Sequence, residues 1–296
     1  MSIIVTAATG NVGGGVVRRL IEQGEQVTVI VRHPDKLSSV VRDKANVQVG
    51  SLTNLDFLVE ATAGAEAILW ITPNNYGAED IRQYYRDIGS VAAQAVRHNN
   101  ISHVVNISSS GAHLPNGIGI LSGLHDVEQA LEVAANIVHL RPGYFFENYL
   151  AQLDAIRSGN VYLPIANHVR IAFVATADIA EVATQLLRDR SWSGHKIQGV
   201  HGPADLSFSE AAELLSQGIN QKVTHVETKL EDFRQFLLEI GSTPNVADNY
   251  VEMFRTLGAP DYHSAEPRLP STTTPTSLAT FAREIILPVL RVKSAV

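Results

Sequence analysis

The stretch that decides the fold is Ile3-Ile4-Val5-Thr6-Ala7-Ala8-Thr9-Gly10-Asn11-Val12-Gly13-Gly14-Gly15, at the start of the chain. An apolar, β-branched run leads into a glycine-rich turn, and the turn opens a segment with helical apolar spacing. Glycines in this context bind the pyrophosphate of a dinucleotide, although they also serve ordinary turns. Gly10 predicts a tight turn, Gly13 a close backbone approach to pyrophosphate, and the helix N-terminus an anion site. The predicted phosphate-binding residues are Thr9, Gly10, Asn11, Val12 and Gly13.

Outward from this stretch, short apolar runs alternate with longer amphipathic segments. The alternation predicts parallel βαβ units, hence an α/β fold with a Rossmann-type doubly wound parallel sheet. The predicted strands are Ile3–Thr6, Gln26–Val31, Val47–Val49, Ala67–Ile71, His103–Ile107 and Ile137–Leu140. The predicted helices between them are Val12–Gln23, Asn54–Ala63, Ile81–His98 and Leu121–Ala134.

The pattern loosens past about residue 149, which predicts a smaller, mostly helical C-terminal lobe. We expect residues 1–150 to form the core, with 170–200 returning to it, and residues 151–169 and 201–296 to form the lobe. Pro, Ser and Thr enrichment over 258–275 predicts a long surface loop. The helices expected here are Phe145–Ser158, Ala177–Arg188, Ser207–Gln217, Leu230–Ile240, Asn245–Leu257 and a last one capped by Thr276 and ended by Pro288; Val223–Glu227 is the expected strand.

Composition narrows the class of protein. The net charge of −7 disfavours direct nucleic-acid binding. The absence of cysteine excludes disulfides and thiol catalysis, and no apolar run is long enough to span a membrane. The N-terminus has no basic region typical of a signal peptide, so we expect a cytoplasmic protein without a membrane partner. His125-Asp126-x-Glu128 matches no standard zinc spacing, and we predict no metal.

The second predicted strand ends at a basic position. Arg32 follows it directly, with Lys36 one turn later and no acid at the strand end. An acid there would accept hydrogen bonds from a ribose 2′-hydroxyl, whereas an arginine suits a 2′-phosphate. The two cations therefore favour NADP(H) over NAD(H); the alternative is that both are solvated surface charges.

Several motifs resemble the NmrA-like branch of the atypical short-chain dehydrogenases. They are Thr6-Ala7-Ala8-Thr9-Gly10-Asn11-Val12-Gly13, Val31-Arg32-His33-Pro34-Asp35-Lys36, Leu140-Arg141-Pro142-Gly143-Tyr144-Phe145-Phe146-Glu147-Asn148, Ala175-Thr176-Ala177-Asp178-Ile179-Ala180 and Pro275-Thr276-Ser277-Leu278-Ala279-Thr280-Phe281. The resemblance implies a Rossmann core, NADP(H) binding, and either reduction of quinones and related conjugated acceptors or redox sensing with little catalysis. The chain departs from the family at Ala7, often Gly, and at Ser51, often Asp.

Ordinary short-chain dehydrogenases use a Tyr/Lys pair to protonate a carbonyl oxygen. Between Ser108 and Ile137 this chain has neither residue type. His125 and Ser109 are the candidates for a proton donor or hydrogen-bonding catalytic group. An exposed histidine and a solvated or helix-capping serine are the alternatives.

The leading hypothesis is an NADPH-dependent reductase of a quinone or similar conjugated acceptor. Ile71, Thr72, Pro73 and Ser108 would line the cofactor's path. The resemblance places Tyr144, Phe145 and Asn148 over the nicotinamide pocket, and Phe146 and Asn148 would line the substrate pocket. Tyr144, Phe145 and Asn148 could instead be core packing under the small lobe. The rival hypothesis is a non-catalytic NADP(H) sensor that binds a protein partner. A homodimer is also left open.

Overall fold

A seven-stranded parallel sheet forms the centre of the protein. The computed structural model describes residues 2–292. The strands of this sheet are β1 (Ser2–Thr6), β2 (Gln26–Val31), β3 (Asn46–Val49), β4 (Ala65–Ile71), β5 (His103–Ile107), β6 (Asn136–Pro142) and β10 (Gly194–Val200). Their spatial order is β10-β6-β5-β4-β1-β2-β3, and every neighbouring pair is parallel. The chain reverses its direction of travel across the sheet between β1 and β4, which is where doubly wound folds bind ligands.

Helices cover both faces of this sheet because its strands are apolar on both sides. Ile3 and Val5 of β1 point into one core, whereas Ile4 between them points into the other. The helices are α1 (Asn11–Glu22), α2 (Ser39–Lys44), α3 (Leu55–Ala61), α4 (Ile81–His98), α5 (Ile120–Leu131), α6 (Leu153–Arg157), α7 (Thr176–Arg188), α8 (Phe208–Ile219), α9 (Leu230–Glu239), α10 (Pro244–Leu257), α11 (Leu278–Phe281) and α12 (Leu287–Val292). The first core includes buried residues of α1 and α7, and the second includes those of α3, α4 and α5.

Two small sheets lie in the C-terminal half. Their strands are β7 (Tyr144–Phe145), β8 (Asn160–Leu163), β9 (Arg170–Val174), β11 (Asp205–Ser207) and β12 (Thr224–Glu227). β9 pairs in parallel with β7 and antiparallel with β11, and β12 pairs in parallel with β8. These pairings hold the segment after β6 beside the carboxyl edge of the large sheet.

The structure corrects the expected helix Phe145–Ser158. Phe145 belongs to β7, Phe146–Gln152 is a 3-10 helix, and only Leu153–Arg157 is α-helical. Pairing of Tyr144 and Phe145 with β9 takes precedence over the helical pattern of the segment. Tertiary pairing often overrides such a local preference.

The end of the chain also differs from expectation. Ser277, and not Thr276, caps α11 by accepting a hydrogen bond from the Thr280 amide, while Thr276 binds Asp178. Pro288 does not end the helix, because a π-turn over Ala282–Ile286 precedes it and α12 continues to Val292. A π-turn changes the local hydrogen-bond ladder, so proline's missing N–H is tolerated there.

Candidate cofactor and substrate site

The N-terminus of α1 is open to an anion. Its cap is Gly10, which has no side chain to satisfy the first amides, and the first turn carries no acid. The first amides of a helix have no intrahelical acceptor, and the helix dipole places partial positive charge there. Thr9, Gly10 and Asn11 are exposed beside this end. The residues therefore fit a bound phosphate group.

Two glycines in this loop have roles that differ from those expected. Gly10 has a φ of −85°, which any residue adopts, and the left-handed position is Ala7 with a φ of 48°. A Cβ on Gly13 would lie 2.5 Å from the Ala7 carbonyl oxygen and 3.1 Å from that of Thr6. Gly13 is therefore needed for close packing of α1 on its own loop, and the tight turn depends on Ala7.

Two cavities lie along the carboxyl edge of the large sheet. The larger has a volume of about 660 Å³ and the smaller about 250 Å³, and Pro73 lines both. The order of the strands in the sheet determines which residues line each cavity. Residues after β2 border the smaller cavity, and residues after β4, β5, β6 and β10 border the larger one. The two cavities therefore meet at Pro73, and Ala7 and Thr9 of the glycine-rich loop border the smaller one.

The smaller cavity is lined by Thr9, Arg32, Ser51, Thr53 and Tyr84, among others. Arg32 is exposed and follows β2 directly, as the sequence predicted. The Ser51 and Thr53 hydroxyl oxygens lie 2.8 Å apart, so Ser51 presents a polar wall where the family often has Asp. Lys36 is exposed at the end of a 3-10 turn and does not line this cavity.

The larger cavity brings together most of the residues expected around the reacting groups. Its lining includes Ile71, Thr72, Pro73, Ser108, Ser109, Tyr144, Phe145 and Asn148. Within residues 2–292, the buried Ser108 hydroxyl has no hydrogen-bond partner, which leaves it available to a ligand. Burial raises the pKa of Tyr144 well above its usual value, so its phenol stays protonated and can only donate or accept a hydrogen bond.

His125 and Phe146 do not line either cavity. His125 is half-buried on α5, and its Nδ1 lies 2.9 Å from the Ala112 carbonyl oxygen, to which it must donate. Phe146 is fully buried, with its ring centroid 5.6 Å from that of Phe281. The hypotheses of an acid at His125 and a substrate wall at Phe146 therefore do not fit this geometry.

Other cavity residues were not predicted from the sequence. Asn74 and Tyr85 are linked by a hydrogen bond of 3.1 Å, and Tyr250 of α10 lies within 3.5 Å of the Asn74 amide. The far wall adds Arg170, His201, Asp205, Tyr262, Glu266 and Arg268. These residues lie in or next to strands of the C-terminal half, or in the segment 258–275. A local sequence pattern does not predict where such segments lie in the fold.

A buried ion cluster holds segment 258–275 against the sheet. Arg141 of β6 donates to both carboxylate oxygens of Glu128, at 2.9 and 2.6 Å, and to Glu266 at 2.7 Å. All three side chains are buried. The segment expected to be a surface loop is thus partly an inner wall of the larger cavity. Arg141 beside the mostly apolar run Ile137–Leu140 was the available signal, since a buried charge requires partners.

The fold and the two cavities define a Rossmann-type α/β protein with a ligand site at the carboxyl edge of its sheet. The chain belongs to the NmrA-like family, which its sequence matches over residues 1–277. No helix among residues 2–292 is long and apolar enough to cross a membrane. Over the same residues, no cluster of three or more His, Asp or Glu side chains is arranged to hold a metal ion.

Three similar proteins have described activities. The NAD(P)H azoreductase of Xenophilus azovorans is 27% identical over 264 residues, covering 88% of each chain. Quinone oxidoreductase 2 of Escherichia coli K12 is 25% identical over 250 residues, covering 83% of this chain and 84% of that protein. The triphenylmethane reductase of Citrobacter sp. superposes with a TM-score of 0.77 at 20% identity, covering 97% of this chain and 100% of that one.

Proposed function

We propose that this protein is an NADPH-dependent reductase that transfers hydride to a quinone or a similar conjugated small molecule. The observation that carries the proposal is the placement of two neighbouring cavities that share Pro73: one is basic and bordered by the glycine-rich loop before a phosphate-receptive helix end, and the other is large with aromatic walls. Relatives named as an NAD(P)H azoreductase and a quinone oxidoreductase support the same class of reaction.

Different residues of the chain would bind the different parts of the cofactor and the acceptor. The first amides of α1 would hold the pyrophosphate, and Arg32 would pair with a 2′-phosphate through charge-assisted hydrogen bonds. When bound, the reduced nicotinamide supplies the hydride. Thr72 and Ser108 border the larger cavity and provide polar contacts there. Phe145 and Tyr144 provide flat apolar surface for an aromatic acceptor.

An electron-poor acceptor suits this cavity because its lining has no Tyr/Lys pair among residues 2–292. Both Tyr144 and Tyr85 have pKa values raised by burial, so neither phenol is a strong acid. Among residues 2–292 no lysine lines either cavity, so no ammonium group is present there to lower a tyrosine pKa. Catalysis would then rest chiefly on positioning the reactants in a water-poor cavity. Quinones need little proton assistance and suit such a site.

Consumption of NADPH, followed by its absorbance, tests the proposal with benzoquinones, naphthoquinones and enones, and with NADH in parallel. We expect turnover that depends on the acceptor and prefers NADPH. Phe145→Leu should raise the KM for the acceptor, whereas the adjacent Phe146→Leu, outside the cavity, should not. Tight NADPH binding without turnover of any acceptor would contradict the proposal and favour a regulator with a protein partner.

A further inference from the structure

The far end of the larger cavity contains polar groups without partners. His201 follows β10 and borders the cavity, yet it is only 2% exposed. Neither of its ring nitrogens has a hydrogen-bond partner within residues 2–292, and the same holds for Nε of Arg268 on the same wall. Buried polar atoms normally have hydrogen-bond partners. Two side chains with unpaired polar atoms beside a cavity therefore indicate that a ligand group binds there.

The position of the His201 ring is fixed by its surroundings. Its backbone amide donates to the Thr272 carbonyl and its carbonyl accepts from the Thr274 amide, both at 2.7 Å. The ring packs over Gly199, where a Cβ would lie 2.9 Å from Nε2. The imidazole is therefore held at the cavity wall by packing and backbone contacts, although its nitrogens have no hydrogen-bond partner in the described part of the chain.

Charge around the ring is balanced by existing ion pairs. Arg268 binds Asp205 and the Gly202 carbonyl, and Glu266 accepts from Arg141 and from the Ser264 hydroxyl. Arg170, on the same wall, is paired with Glu210. Burial and the Arg268 charge lower the pKa of His201, while Asp205 and Glu266 oppose this. The ring is neutral at pH 7 and offers one donor and one acceptor.

We propose that His201 determines acceptor specificity by hydrogen bonding to an uncharged oxygen, a hydroxyl or a carbonyl, at the far end of an aromatic acceptor. β10 lies two strands from β5, so His201 is about 10 Å along the sheet edge from Ser108. That separation suits a ring system with an oxygen on each side. The neighbouring charges are already paired, which favours an uncharged group over a carboxylate.

This inference rests on the proposed function, and a binding experiment separates the two. Isothermal titration of the wild-type protein and His201→Phe would use 1,4-naphthoquinone and 6-hydroxy-1,4-naphthoquinone, whose hydroxyl lies on the second ring away from both carbonyls. The chain has no cysteine, so quinones cannot add to thiols and distort the titration. We expect His201→Phe to weaken binding of the hydroxyl derivative about three- to tenfold more than binding of naphthoquinone, the effect of one lost hydrogen bond. His201→Gln should restore part of the difference.

His225 provides the matched control. It is also buried, with a pKa lowered by burial, but it lies outside the larger cavity and its Nε2 donates to the Ile165 carbonyl oxygen. His225→Phe should leave the ratio of the affinities for 6-hydroxy-1,4-naphthoquinone and naphthoquinone unchanged. An unchanged ratio in His201→Phe, or no binding of either quinone, would overturn the inference. Quinone binding without NADPH oxidation would instead overturn the proposed reaction and leave the His201 contact standing.

Discussion

Single side chains determine what the smaller cavity can bind. Arg32 is the cation of its wall, and Ser51 and Thr53 contribute hydroxyls where a carboxylate would repel a phosphate. Arg32 is exposed and its guanidinium is free to form a bidentate contact. Selectivity between the two nicotinamide dinucleotides should therefore depend on this one side chain.

Replacing that arginine should reverse the preference. Arg32→Ala should weaken NADPH binding by about ten- to a hundredfold, because hydrogen bonds to charged groups contribute about 1.5–3 kcal/mol. NADH binding should change little, since it has no 2′-phosphate. Dissociation constants from titration calorimetry measure both. Arg42→Ala, an exposed cation outside both cavities, is the control. Equal losses for NADPH and NADH would contradict the assignment.

Arg32 could be predicted from the sequence because a strand end fixes its place along the sheet edge. The role of Gly13 could not, since the 2.5 Å approach to Ala7 depends on the three-dimensional path of the loop. The hypothesis of an acid at His125 does not fit the structure for a similar reason. The sequence places His125 on the helix that becomes α5, but only the fold shows that its Nδ1 is turned to the Ala112 carbonyl.

At the level of elements, α1 must pack closely on the loop that precedes it. Gly13→Ala puts a Cβ against backbone atoms that cannot move aside. The substitution should lower the unfolding free energy by about 1–3 kcal/mol. It should also weaken NADPH binding. Gly14→Ala meets only the Ala8 carbonyl oxygen at 3.1 Å and should be less harmful. Urea denaturation and NADPH titration test both. A Gly13→Ala protein as stable as Gly14→Ala would refute this packing argument.

Segment 258–275 is joined to β6 and α5 through Arg141. Arg141→Met would leave Glu128 and Glu266 buried without their cation, and should cost about 3–5 kcal/mol of unfolding free energy. Glu266→Gln keeps the polar contact and removes the surplus negative charge, so its cost should be below about 1.5 kcal/mol. Urea denaturation compares them. Similar losses in the two variants would show that the cluster does not act through charge pairing.

Most elements of the first half were predictable because their apolar spacing and their final packing agree, whereas the short helix α2 was not predicted. β10 was not, because it is an edge strand with exposed His195, Lys196 and Ile197, and its place depends on pairing with β6. The short strands β7, β9 and β11 likewise exist through contacts distant in sequence. Local sequence patterns therefore could not predict the cavity wall that these strands form.

For the whole molecule, the larger cavity forms where segments from both halves of the chain meet. Ser108 and Phe145 come from the sheet edge, whereas Tyr250 and Met253 come from α10. Loss of global folding would therefore remove the site even where the α1 loop persisted. Conditions that shift the unfolding equilibrium should affect acceptor reduction as well as structure.

Acidification is such a condition, because three buried histidines, His139, His201 and His225, have pKa values lowered chiefly by burial. Unfolding returns the pKa of each histidine toward its usual 6.5, so the unfolded chain binds more protons than the folded chain below that pH. Their contribution to stability is complete above about pH 6.5 and falls as pH drops, by up to about 1.4 kcal/mol per pH unit for each histidine. Urea denaturation at about pH 7.5, 6.5 and 5.5 measures this slope. His225→Gln should reduce it by one histidine's share and exposed His98→Gln should not; a slope that is flat or reversed in the wild-type protein would contradict the argument.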